Sequence, residues 1–168
     1  SSDLLNGPQN APAAIGPNNN NDDFTNKSAL IDANVATGQT INPAAVSFTN
    51  TAQNTGAATA AITLLPTPPA TAGNLPTGTV VTVSYQSQSA AYTYNGATFD
   101  PVASNPPVVI PNVASGANVN YGVSVDLPLG TPLSTDTDAQ GTTASPVETV
   151  QRGFPAPITA FIDNGATS

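Results

Sequence analysis

The ten residues from Asn118 to Leu127 read NVNYGVSVDL, and their alternation decides the fold class. Val119, Tyr121, Val123, Val125 and Leu127 fall at odd positions, and Asn120, Gly122, Ser124 and Asp126 fall between them. A period of two puts every apolar side chain on one face of an extended strand, whereas a helix would scatter the same residues around its circumference. One face of this segment must therefore meet a core. From about Ser28 onward the chain repeats this kind of text in short runs rich in Val, Ile, Thr and Tyr, parted by turn residues every ten to fifteen positions or so. The expected strands are Ala29 to Ala36, Ala45 to Thr51, Ala60 to Leu65, Thr79 to Gln86, Ala91 to Tyr94, Ala97 to Pro101, Val108 to Pro111, Asn118 to Leu127, Pro146 to Arg152 and Ala156 to Asp163. No helical period persists, and the pattern predicts an antiparallel β-sandwich.

The segment YTYNGATF, Tyr92 to Phe99, predicts a hairpin. Asn95 and Gly96 suit the two positive-φ positions of a type I′ turn, a turn that pairs Tyr94 with Ala97, Thr93 with Thr98 and Tyr92 with Phe99. Most of the 17 prolines fall between the runs, where they stop strands and stiffen loops.

Composition excludes several functions. Lys27 and Arg152 are the only basic residues against nine Asp and Glu148, so the net charge of -8 repels polyanions and argues against nucleic acid and anionic membranes as partners. His and Cys are absent, and with them imidazole acid–base chemistry, thiolates and the usual zinc ligands. No run approaches the apolar length of a membrane-spanning helix. Charged residues are 7% of the chain where a quarter is usual, and Leu, Ile, Val and Phe make up about a fifth, so the core should be thin. A surface of Asn, Thr, Ser, Ala and Gly with two basic residues suits an exposed extracellular material. Together with the absence of Met, it leads to the expectation of a secreted chain whose signal has been removed.

Residues 1 to 26, SSDLLNGPQNAPAAIGPNNNNDDFTN, read as an extended N-terminal arm or linker, and residues 27 to 168 as the sandwich domain. Gly, Pro and Asn interrupt the arm throughout. Leu4, Leu5 and Ile15 are apolar residues that a purely solvated linker does not need.

The segment FTNTAQNTGAATAAITLLP, Phe48 to Pro66, resembles the conserved-repeat domains of bacterial surface proteins, the class called "domain of unknown function eleven". The resemblance rests on a strand ending in Asn54-Thr55-Gly56, an apolar strand from Ala60 to Leu65, and Pro66. It continues at IPNVASGANVNYGVSVDLP, from Ile110 to Pro128, and spans about Ala45 to Asp163. It implies an immunoglobulin-like sandwich borne by secreted cell-surface proteins, and it implies no activity. The long Asn-rich arm departs from the usual tandem modules.

No catalytic residue, cofactor or metal site is expected, and the chain does not read as an enzyme. Glu148 and the aspartates lack a glycosidase context. Asp136 with Asp138, and Asp22 with Asp23, lack the full spacing of a calcium loop and read as solvated turns. Asn26 begins an N-x-S sequon, and Lys27 is a candidate for an amide cross-link. The arm carries the main functional expectation: an extended segment can complete the sheet of a neighbouring copy, with Leu4, Leu5 and Ile15 as anchors. The end of the chain, with Ile158 and Ile162 on one face, is the other candidate donor. Either way the partner is the chain itself, and the expected function is a structural subunit of a head-to-tail homopolymer: an extracellular filament, pilus-like fibre or surface layer. The alternative function is an adhesin or carbohydrate-binding sandwich displaying Tyr85, Tyr92, Tyr94 or Tyr121.

Overall fold

The computed structural model describes residues 4–13, 22–25, 28–31, 40–41, 45–128, 131–132 and 152–162. In chain order the strands are β1 (Leu4–Pro8), β2 (Asp22–Thr25), β3 (Ser28–Ile31), β4 (Thr40–Ile41), β5 (Val46–Asn54), β6 (Ala60–Pro66) and β7 (Val80–Tyr85). They continue as β8 (Gln88–Tyr94), β9 (Phe99–Pro101), β10 (Val108–Val113), β11 (Asn118–Asp126), β12 (Thr131–Pro132), β13 (Arg152–Pro155) and β14 (Ile158–Ile162). The only helical turn among the described residues is a three-residue 3-10 turn at Ala72–Asn74. No described helix is long and apolar enough to cross a membrane.

A six-stranded sheet runs β1-β5-β11-β7-β8-β9 and a four-stranded sheet runs β10-β6-β14-β2, with β12 paired to β4 and β13 paired to β3. Neighbouring strands are antiparallel throughout. The chain is thus all-β, and its antiparallel sheets curl into a sandwich of the immunoglobulin-like kind.

The alternation in β11 does what its pattern requires. Tyr121, Val123, Val125 and the following Leu127 are buried, while Asn118, Asn120 and Asp126 are exposed. Inward residues of β7, β8 and β11 join Ile62 and Leu64 of β6, Val108 and Ile110 of β10, and Ile158, Ala160 and Ile162 of β14 in one apolar cluster. Side chains of this size contribute about 1.5–3 kcal/mol each when fully buried, so a thin core built from strand interiors still holds two sheets together.

The Tyr92 to Phe99 hairpin needs correction. Tyr94 pairs with Phe99, Thr93 with Asp100 and Tyr92 with Pro101, a register two residues away from that of a type I′ turn. Only Gly96 takes positive φ, at 97°. Asn95 instead folds its side chain over the loop, Oδ1 accepting from the N–H groups of Ala97 and Thr98 at 2.9 Å each. This side-chain turn replaces the positive φ that Asn95 was expected to adopt, and it widens the loop to four residues. A two-residue shift preserves face parity, so Phe99 stays on the tyrosine face but meets Tyr94 in place of Tyr92, with ring centroids 5.2 Å apart.

Asp22 and Asp23, expected in a solvated turn, lie in β2 opposite Phe161 and Ala160. The arm is likewise more ordered than its composition suggests, because β1 is paired along its whole length with β5. Expected strand residues 32–36 and 146–151 lie outside the described residues, as do Ile15, Asn26, Lys27, Asp136, Asp138 and Glu148.

Candidate assembly interface

The segment LLNGP forms β1 against β5, with Leu4 opposite Asn54, Asn6 opposite Ala52 and Pro8 opposite Asn50. Alternation sends Leu4 and Asn6 into the core, where they are 0% and 1% exposed, and leaves Leu5 half-buried on the outer face.

Asn6 is held by a relay of donors and acceptors through the sandwich. Asn50 Nδ2 on β5 donates to Tyr121 Oη at 3.4 Å, Tyr121 Oη on β11 donates to Asn6 Oδ1 at 2.6 Å, and Asn6 Nδ2 donates to the Ile158 carbonyl of β14 at 2.9 Å. Four strands from both sheets meet in this chain of bonds. The polar row also sets the register of the arm: a one-residue slip of β1 would bring Leu5 to the hydroxyl of Tyr121 and strand polar groups in an apolar interior. Asn50 Oδ1 is buried there with no bonding partner.

Beyond β1 the chain folds back as a hook. Asn10 takes φ 62°, and its N–H donates to Thr51 Oγ1 at 2.8 Å, while Thr51 Oγ1 donates to Asn120 Oδ1 at 2.6 Å. The return brings the Ala11 carbonyl so close to Gly7 that a Cβ there would lie 2.3 Å from the oxygen. Gly7 is therefore required by backbone contact, and β1 docks with its hook as one unit.

The Asn54-Thr55-Gly56 motif has a local structural role. Asn54 Nδ2 donates to the carbonyls of Ala58 and Val113, both at 2.8 Å, and Oδ1 accepts from Gly56 N–H at 3.0 Å. Its side chain ends β5, shapes the loop into β6 and ties that loop to β10.

The two candidate donor segments occupy different places. Among the described residues β1 is an edge strand with one sheet neighbour, whereas β14 lies between β6 and β2. Ile158 and Ile162, at 0% and 3% exposure, belong to that interior strand. Removing β14 would divide the four-stranded sheet, while removing β1 would uncover one edge.

The tyrosines considered as stacking platforms are mostly internal. Tyr92, Tyr94 and Tyr121 are buried and only Tyr85 is partly exposed. Tyr94 Oη donates to the Ala72 carbonyl at 3.0 Å. Tyr92 Oη is buried with no hydrogen-bond partner, and that burial raises its pKa above the ordinary phenol value. Among the described residues no three Asp or Glu side chains gather as a metal site.

Sequence reasoning overlooked Asn6, Asn50 and Tyr121 as a unit. The strand expected to end at Thr51 continues to Asn54, and its parity then aligns Phe48, Asn50, Ala52 and Asn54 on one face. Asparagines recurring on a core-facing row were the available signal. Comparison with known protein families, curated proteins and solved structures returned no match.

Proposed function

We propose that the chain is a structural subunit of an extracellular filament or surface layer, and that copies join head to tail by exchanging the β1 arm. The observation that carries this reading is the edge position of β1 with Leu4 and Asn6 seated in the core. A segment that completes its own sandwich at an edge can complete a neighbour's with the same contacts, so exchange needs no new interface. Each copy then gives an arm and receives one. A head-to-tail contact that does not close produces a filament. The sparsely charged, nearly lysine- and arginine-free composition and the resemblance to cell-surface repeat domains support an extracellular setting.

The test uses the cysteine-free background. Leu5 and Gln53 are register partners and both are half-buried, so the double variant Leu5→Cys, Gln53→Cys places two thiols across the β1–β5 seam. Antiparallel partners have Cα separations of about 4.5–5.5 Å, within disulfide range. Oxidation of the isolated subunit should close the bond within one chain. Oxidation after assembly should give a ladder of covalent multimers in denaturing gels, with fibres visible by negative-stain electron microscopy. Fibres that cross-link only within single chains would refute arm exchange, and a subunit that never assembles would refute the structural role.

A further inference from the structure

Among the described residues the four-stranded sheet ends at β10, and such an edge offers outward-pointing peptide groups to any strand that approaches. Val108 and Ile110 face Leu64 and Ile62 of β6, and the peptide groups of Val109 between them turn the other way. Gln88, carried by β8 of the opposite sheet, meets them. Val109 N–H donates to Gln88 Oε1 at 3.0 Å, and Gln88 Nε2 donates to the Val109 carbonyl at 2.6 Å. A primary amide has one acceptor oxygen and a donor nitrogen on the same carbon, so this side chain reproduces the pair of bonds that one residue of an added antiparallel strand would make.

The neighbouring positions are closed by other means. Strand alternation aims residues 107 and 111 at the same edge as Val109, and both are proline, which has no N–H to donate. After Ile110 the register shifts and Asn112 takes φ 56°, a bulge that bends the strand away from a straight template.

We propose that the Gln88 amide serves as a surrogate strand that, with Pro107 and Pro111, closes the β10 edge against pairing with a second copy of this chain. The cap on Val109 accounts for a glutamine at position 88 whose two polar atoms both serve the backbone of one residue 21 positions away. This guard does not depend on arm exchange. Where arm exchange operates, it confines strand pairing between copies to the β1 side of the sandwich.

Two measurements test the proposal in the full chain. Gln88→Ala should lower the hydrogen-exchange protection of the Val109 amide by about tenfold, the effect of losing a hydrogen bond of average strength, while amides of β11 keep theirs. Gln88→Glu loses the donor to the Val109 carbonyl but keeps an acceptor for the Val109 N–H, so it should retain protection that Gln88→Ala loses. Unchanged Val109 protection in Gln88→Ala, or protection lost as fully in Gln88→Glu as in Gln88→Ala, would overturn the cap. The edge itself is tested with the subunit locked by the Leu5→Cys, Gln53→Cys disulfide, which prevents arm exchange. Adding Gln88→Ala, Pro107→Thr and Pro111→Thr to the locked subunit should produce thioflavin-positive assemblies where the locked parent stays monomeric. A locked, opened subunit that remains monomeric would overturn the guard.

Discussion

Replacing Leu4 by Ala probes whether the arm is part of the sandwich or a leader that happens to lie on it. Leu4 is fully buried, and it enters the core from an edge strand with one sheet neighbour. Large-to-small changes of this kind cost about 2–5 kcal/mol, and the lower half of that range applies where the surroundings can close on the space. An edge strand can shift inward, so the expected loss is about 2–3 kcal/mol. With a urea dependence of about 2 kcal/mol per molar for a domain of this size, the unfolding midpoint should fall by roughly 1–1.5 M with no change in slope. Equilibrium urea unfolding of the isolated subunit, followed by tyrosine fluorescence and circular dichroism, measures it. Leu5→Ala is the internal control, because Leu5 is half-buried on the outer face and should cost less than about 1 kcal/mol. Equal effects for the two leucines, both within about 0.5 kcal/mol of the parent, would refute the inward placement of Leu4 and with it the basis for arm exchange. In the assembled state Leu4→Ala should also lower the yield of fibres at a fixed subunit concentration.

Gly7→Ala should loosen the hook by about 1–3 kcal/mol, since the new methyl would meet the Ala11 carbonyl, and the protection of the Asn10 amide in hydrogen exchange should fall with it. Tyr121→Phe removes the hydroxyl that links Asn50 to Asn6 and should destabilise by about 1–3 kcal/mol, by leaving buried amides short of a partner, as read by thermal unfolding. Tyr92→Phe deletes a buried hydroxyl that has no partner, so stability at neutral pH should hold or rise. The raised pKa of Tyr92 gives an alkaline signature. In the folded chain the phenol keeps its proton at a pH where the unfolded chain has begun to lose it, so the unfolded state binds fewer protons and stability falls as pH rises above about 10. Tyr92→Phe should flatten that part of the profile, and a profile unchanged by the substitution would contradict the burial of the hydroxyl.

The hairpin at Asn95 and Gly96 shows where local reading stops. Asn-Gly correctly marked a turn, yet the Asn95 side chain bonds two backbone N–H groups and moves the register by two residues, a choice that depends on hydrogen bonds across the loop. The faces of β7, β8 and β11 were legible because inward and outward positions follow from a period of two, whatever the strand pairs with. The ends of strands were less so, since β5 runs on to Asn54 through polar residues whose burial is supplied by β1 and β11.

The same division holds for the candidate site. Sequence alone determined the all-β class, the strands between Ala60 and Leu127 to within a few residues, the scarcity of reactive side chains, and the presence of apolar residues in an otherwise polar arm. Only the tertiary structure decided that Leu4 enters the core with Asn6, that Ile158 and Ile162 sit in an interior strand, and that Gln88 covers the edge at Val109. Periodicity is a property of neighbouring residues, whereas pairing order, register and edge protection join positions such as 6, 121 and 158, or 88 and 109, whose approach is set by how two sheets fold over one core.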